Sequence, residues 1–182
     1  MGSSGQMTTP ALEALREGKL SGFWTLDPHL SQIRFRIKVL WGLMTVNGSF
    51  RQVSGNGVVT PAGQVSGSIT VAAGSIDTRN DRRDRHLRSA VFFEVDRYPD
   101  VTFRVDRVEP ADQGVTVNGR LNVHGRTRWI SFTALVASTD NDEIGLDAEV
   151  QVDRADLGLS WNRLGMASKT TTVAIHAVFT RQ

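Results

Sequence analysis

The sequence predicts an all-β fold, an eight-stranded antiparallel up-and-down barrel carrying a short N-terminal helix and one short helical insertion. Three observations predict it. Apolar side chains recur at every second position, as in Ile33, Phe35, Ile37 and Val39 set against Arg34, Arg36 and Lys38, which is the pattern of a half-buried strand with a wet outer face. Clusters of Gly, Pro, Asn and Asp separate about eight or nine such runs, which follow one another in meander order. One stretch, Ser75 to Phe103, breaks the period of two. A barrel is favoured over a sandwich because neighbouring strands joined by short turns close in sequence, and closure removes exposed edges.

The elements follow in order. Met1 to Gln6 read as an expression-tag remnant ahead of Met7 and are set aside. Residues 7–21 form a partly helical appendage, expected on the outside of the domain. In it Thr9 caps and Pro10 opens a helix over Ala11 to Glu17, closed by Gly18. Residues 22–182 form a single barrel domain. Strand alternation starts at Phe23, runs through Ile33 to Val39, and passes to Leu43–Phe50. Gly55-Asn56-Gly57 and Pro61-Ala62-Gly63 are turns. Val58–Thr60 and Val65–Val71 make a hairpin around the second. Val101–Val108, Val115–Val123, Trp129–Ser138, Ile144–Val152 and Thr170–Phe179 complete the meander. Thr139 to Asp142 is a turn, and Asp153 to Gly165 is irregular.

The insertion reads SIDTRNDRRDRHLRSAVFFEVDRYPDVTF. Thr78-Arg79-Asn80-Asp81 is a helix-start signal in which the Thr hydroxyl caps free N–H groups. Asp81 with Arg85 and Asp84 with Arg88 stand four apart, as ion pairs on an exposed helix do. Val91-Phe92-Phe93 is an apolar knot. Tyr98-Pro99 ends any helix, because the residue before proline leaves the α region. The stretch is therefore a charged helical lid on an aromatic base, set between two blocks of strand.

Composition excludes several classes. A chain of 182 residues buries roughly 70 % of its unfolded surface and needs no metal or disulfide staple. It has no cysteine, which removes disulfides, thiolate catalysis and Cys-ligated zinc together. Basic residues number 21 against 19 acidic, a net charge of +2, and those of the insertion are interleaved with acids, so no nucleic-acid face is predicted. No apolar run reaches the roughly 20 residues of a membrane span. With no secretory pattern at the start, a cytoplasmic location is expected. His29, His86, His124 and His176 form no tight ligand pair, and no metal or cofactor is expected. Serine-nucleophile and Walker signatures are absent. The arginines around Asp77, Asp81 and Asp84 keep these acids ionised, so no catalytic carboxylate is predicted.

The apolar inventory points to a cavity. The candidate lining residues are Phe35, Ile37, Val39, Trp41, Phe50, Ile69, Phe92, Phe93, Phe103, Trp129, Phe132, Trp161, Met166 and Ile175. Arg79, Arg85 and His86 are the candidates for a polar or anionic head group. A barrel of about eight strands is wide enough to hold one slender ligand. Each CH₂ withdrawn from water contributes about 0.8 kcal/mol, so a long tail is bound without specific polar contacts.

The segments Trp24-Thr25-Leu26-Asp27-Pro28, Val46-Asn47-Gly48-Ser49-Phe50, the whole insertion, Asn118 to Thr127 and Arg154-Ala155-Asp156-Leu157-Gly158 resemble the YceI-like family, the polyisoprenoid-binding, lipocalin-like barrel proteins. The resemblance runs from about Gly22 to Phe179 in order. It implies an eight-stranded barrel with a helical element, a homodimer, an isoprenoid-quinone or polyprenyl-type lipid in the cavity, and no catalysis. The chain departs from the family's pattern at Leu30, where Asp-Pro-x-His-Ser has histidine, and at Val39, where a second histidine is common. Both changes imply a more apolar cavity. The segment Trp161–Lys169 is also less acidic than the family leads one to expect. The function expected is binding of an isoprenoid or other long-chain lipid for storage or transport. The alternatives are a ligand-free interaction module, or an enzyme acting on an isoprenoid lipid through His86 and Asp84.

Overall fold

The computed structural model describes residues 10–140, 142–159 and 165–182, with side chains except those of 137–140. Two helices and eleven strands are seen: α1 (Pro10–Arg16), β1 (Gly22–Leu26), β2 (Gln32–Val39), β3 (Met44–Phe50), β4 (Val53–Val59), β5 (Val65–Ala72), β6 (Ile76–Asp77), α2 (Asp81–Arg88), β7 (Asp100–Pro110), β8 (Val115–Val123), β9 (Arg126–Asp140), β10 (Glu143–Asp153) and β11 (Thr170–Arg181). Eight of the strands form a closed antiparallel ring in the order β1, β4, β5, β7, β8, β9, β10, β11, with β1 pairing back onto β11.

The remaining strands exist because the ladder is interrupted twice. The alternation from Phe23 to Val39 is interrupted at Asp27, whose carboxylate accepts the N–H groups of His29 (2.8 Å) and Leu30 (3.2 Å). Such an Asx turn offers the backbone an alternative to the ladder. The chain rejoins the sheet through Ser31, whose hydroxyl accepts from the Val178 N–H at 2.9 Å. The last residues of β11 therefore pair with β1 (Leu26 opposite Phe179), while its first half pairs with β2 (Ile175 opposite Ile33). The chain breaks again between β3 and β4, and Gly55-Asn56-Gly57, expected as a turn, lies instead inside β4, paired to β5 and in part to β1, because its glycines let the neighbouring strands pack closely. The β2–β3 hairpin thus extends outside the closed ring, and β6 adds to its edge.

Period-two alternation places the core. Leu26, Ile33, Val53, Val71 and Ala177 form one buried cluster, and Val115, Val117 and Ala134 form another. Two interior glycines make room for aromatic rings. Gly48 lies opposite Phe35 in register, and a Cβ there would stand 2.3 Å from the Phe35 ring. A Cβ at Gly119 would stand 2.6 Å from the Phe103 ring and 2.3 Å from the Arg104 carbonyl oxygen.

The N-terminal helix differs from expectation. Instead of lying outside, α1 stops one end of the barrel. Ala11 and Leu12 are buried, Leu12 against Val115, Val117 and Ala134. Leu20 and Trp24 extend the stopper onto Val59. The cause is an apolar stripe, Ala11, Leu12 and Leu15, which would otherwise face water. Thr9, Trp161 and Asn141 of the expected turn lie outside the described residues.

Candidate functional site

The insertion closes the opposite end, by a different construction from that expected. Asn80, not Thr78, caps α2, its side chain accepting the Arg83 N–H at 3.0 Å. Thr78 instead donates from its N–H (3.0 Å) and its hydroxyl (2.6 Å) to Asp84, which is buried. Among the described residues no ion pair links Asp81 to Arg85 or Asp84 to Arg88. Arg88 donates to the carbonyls of Gly74 and Ile76, both at 2.8 Å, and Arg83 donates to the Thr78 hydroxyl and carbonyl. The arginines therefore tie the helix down through neutral oxygens, because the buried acid of α2, Asp84, is taken by Thr78.

Beneath α2 lie Phe92 and Phe93, with ring centroids 5.1 Å apart and Phe93 edge-on to Phe50 at 6.1 Å. Ala73, Ile76, Val123, Leu157 and Leu159 complete this buried cluster. The two leucines come from the turn after β10. There Arg154, itself buried, donates through Nε and Nη2 to the Ser168 carbonyl at 3.0 and 2.6 Å. Burial pushes the Arg154 guanidinium below its ordinary pKa, opposed by the Asp153 carboxylate. It nevertheless remains a cation, as arginine does throughout proteins.

Between the two closures is a cavity of about 490 Å³, within the range of roughly 300–1,000 Å³ usual for small-molecule sites. Ten of the expected side chains line it: Phe35, Ile37, Val39, Phe50, Ile69, Phe92, Phe93, Phe103, Phe132 and Ile175. Three others do not. Trp129 is 70 % exposed, because it is of opposite parity to Ile130 and Phe132, and alternate residues of a strand face opposite sides. Trp41 is 73 % exposed in the 3₁₀ turn that follows β2. Met166 is half-buried, and its neighbour Ala167 lines the cavity in its place.

The charged set is also redistributed. His86 lines the cavity as expected, but Arg79 and Arg85 point to solvent, and Arg83 and Arg154 line it instead. The signal for Arg83 was present. Leu87 is the one apolar residue of α2 and marks its inner face, and Arg83 stands one turn before it on that face. Arg154 has the weaker signal of an arginine followed by two buried leucines. Of the positions where histidine was expected, Val39 lines the cavity, whereas Leu30 is exposed in the Asx turn.

The model of the YceI-like domain matches residues 24–179. The chain belongs to the YceI-like family. Among curated YceI-like relatives, UPF0312 protein YE1254 of Yersinia enterocolitica is 30 % identical over 144 residues, covering 75 % of this chain and 74 % of the relative. Protein YceI of Salmonella arizonae is 27 % identical over 150 residues, covering 79 % and 78 %. The fold is shared with BcnA of Burkholderia cenocepacia (TM-score 0.77, 18 % identity, 84 % of this chain and 98 % of that one). It is also shared with a polyisoprenoid binding domain from Saccharophagus degradans (TM-score 0.71, 19 % identity, 87 % and 98 %). In this member of the family the cavity lining is almost entirely hydrocarbon. No helix among the described residues is long and apolar enough to cross a membrane.

Proposed function

We propose that the barrel binds one long-chain lipid, an isoprenoid such as a polyprenyl phosphate or quinone, or a fatty chain, and stores or carries it. The observation that carries this reading is the cavity of about 490 Å³, walled by aliphatic and aromatic side chains, with α1 packed at one end and α2 with Phe92 and Phe93 at the other. Its apolar lining suits a slender chain, each CH₂ of which contributes about 0.8 kcal/mol. The polar part of the lining at the α2 end, Arg83, His86 and Arg154, suits a head group that accepts hydrogen bonds. The polyisoprenoid binding domain of Saccharophagus degradans supports the choice of ligand class. We further propose that the protein binds without turnover, as a homodimer, in the cytoplasm.

Native mass spectrometry of the purified protein tests the reading, because it reports ligand mass and oligomeric state together. The expected result is a bound lipid that is lost in Phe93→Asp, where a carboxylate replaces a ring in the buried cluster. A protein that is empty as purified and takes up no polyprenol or fatty alcohol on incubation overturns it, and leaves a ligand-free module.

A further inference from the structure

The β2–β3 hairpin ends in an apolar tip that the barrel does not use. Trp41, Leu43 and Met44 are 73 %, 84 % and 55 % exposed, three large apolar side chains within four residues. The backbone that displays them is unusual. Leu40 and Trp41 both adopt left-handed angles, φ 51° and 54°, a region that bulky residues enter only when the surroundings hold them there. The holding contacts are the Trp41 N–H to the Met166 carbonyl (3.2 Å), the Leu43 N–H to the Leu40 carbonyl (3.1 Å) and the Ser168 N–H to the Lys38 carbonyl (2.8 Å).

Two further features say what the tip faces. The inner side of the same hairpin, Ile37, Val39 and Val46, is cavity wall, so apolar surface runs from the exposed tip to the binding chamber. The hairpin's own charges have one sign. From Pro28 to Ile76 the chain contains Arg34, Arg36, Lys38 and Arg51 and no acid at all. Arg36 is paired with Glu149 and Arg51 with Asp77. Lys38 and Lys169, the cations closest to the tip in the chain and across the Ser168–Lys38 bond, are exposed, and no carboxylate lies within ion-pair distance of either among the described residues. The acid registered nearest to Lys169, Asp153 on β10, accepts the Ala155 N–H.

We propose that this tip docks the protein on an anionic lipid bilayer, with Trp41, Leu43 and Met44 seated at the boundary of head groups and acyl chains and Lys38 and Lys169 on lipid phosphates. Tryptophan favours that boundary, being apolar over most of its surface with one polar N–H. Apolar area and basic charge together set the strength of such interfacial binding. Docked so, the cavity wall formed by the hairpin is brought against the bilayer, where an apolar chain passes between membrane and barrel without crossing water. The purpose of the docking rests on the lipid-binding reading, but the docking itself does not.

Flotation of the purified protein with vesicles of phosphatidylcholine alone, or of phosphatidylcholine mixed equally with phosphatidylglycerol, tests the proposal. The expected result is flotation with the anionic vesicles and a blue shift of tryptophan emission. The double variant Trp41→Ser, Leu43→Ser is expected to lower the partition coefficient at least tenfold with an unchanged urea midpoint, since both side chains are exposed. Lys38→Gln is expected to weaken binding to the anionic vesicles alone. Wild-type protein that stays in the soluble fraction with both vesicles overturns the proposal, as does a double variant that floats like wild type. A double variant that turns a dimer into a monomer in sedimentation velocity, with no vesicle binding by either form, assigns the tip to a second copy of the chain and also overturns it. If lipid binding in the cavity fails while ligand-free protein still floats, the docking stands and only its purpose falls.

Discussion

Replacing Gly48 by alanine separates the cavity from the fold. The new methyl carbon would stand 2.3, 2.7 and 3.0 Å from three atoms of the Phe35 ring and near nothing else within 3 Å. Carbon atoms rest at about 3.5–4.0 Å, so the ring must retreat by roughly 1.2–1.7 Å. It has somewhere to go, because Phe35 lines the cavity. Overpacking of this size costs about 1–3 kcal/mol, and relief of glycine's excess backbone freedom in a strand returns about 0.5–1 kcal/mol, so the net loss of stability is about 0–2.5 kcal/mol. The lost space is that of about one or two CH₂ groups, or about four- to fifteen-fold in the affinity of the longest chain that fits. Gly119→Ala is the contrast. There the methyl would meet the Arg104 carbonyl oxygen at 2.3 Å, and a backbone oxygen within a paired ladder cannot swing aside, so the cost lies at about 3 kcal/mol or above. Urea unfolding followed by tryptophan emission reads the stabilities, and a series of fatty alcohols of increasing length reads the cavity. Equal destabilisation by the two variants, or unchanged affinity of Gly48→Ala for the longest alcohol, refutes the reasoning.

Two other sites give separate tests. Asp84→Ala leaves the buried Thr78 N–H and hydroxyl without their acceptor and is expected to cost about 2–4 kcal/mol, with Asp84→Asn in between; an unchanged urea midpoint rules out the anchoring role. At Asp77 the Arg79 N–H and then the Arg51 guanidinium hold the carboxyl below its usual range. A depressed folded pKa contributes stability above the unfolded pKa, and that contribution is lost as pH falls through the folded value. Wild type and Asp77→Asn should therefore differ in stability at neutral pH and converge in strong acid, and parallel acid-unfolding profiles would exclude this linkage.

The barrel was legible in the sequence because its signal is local. Alternation decides which face of β2 or β10 is apolar without knowledge of any partner strand. The lining residues Phe35, Ile37, Val39 and Phe132 follow from the same parity, and parity applied strictly also removes Trp129. Non-local facts were not legible. The break at Asp27 depends on Val178, far along the chain, which receives Ser31 and so lets β11 serve two strands. The seating of α1 depends on Val115 and Ala134 leaving a surface for Leu12. The role of Asp84 turned on competition. Arg88 four residues on was a candidate partner, but Thr78 reached the carboxylate from the inner side and left Arg88 to carbonyls.

The pairing of β1 with β11 has a consequence for how the molecule is made. Thr25 lies opposite Thr180, so the ring is sewn shut by residues from the two ends of the chain. Of the other neighbouring ring pairs, β4–β5, β7–β8, β8–β9 and β9–β10 form over short connections, β10–β11 over a longer one, and β5–β7 across the α2 insertion, whereas the β1–β11 seam joins residues about 155 positions apart and carries the largest loop-closure cost. Until β11 pairs with β1 the strands form an open sheet, and the chamber is closed only by that pairing. Removing the C-terminal residues would therefore leave an unclosed sheet with no interior, and any lipid met before that final pairing would be enclosed by the act of folding.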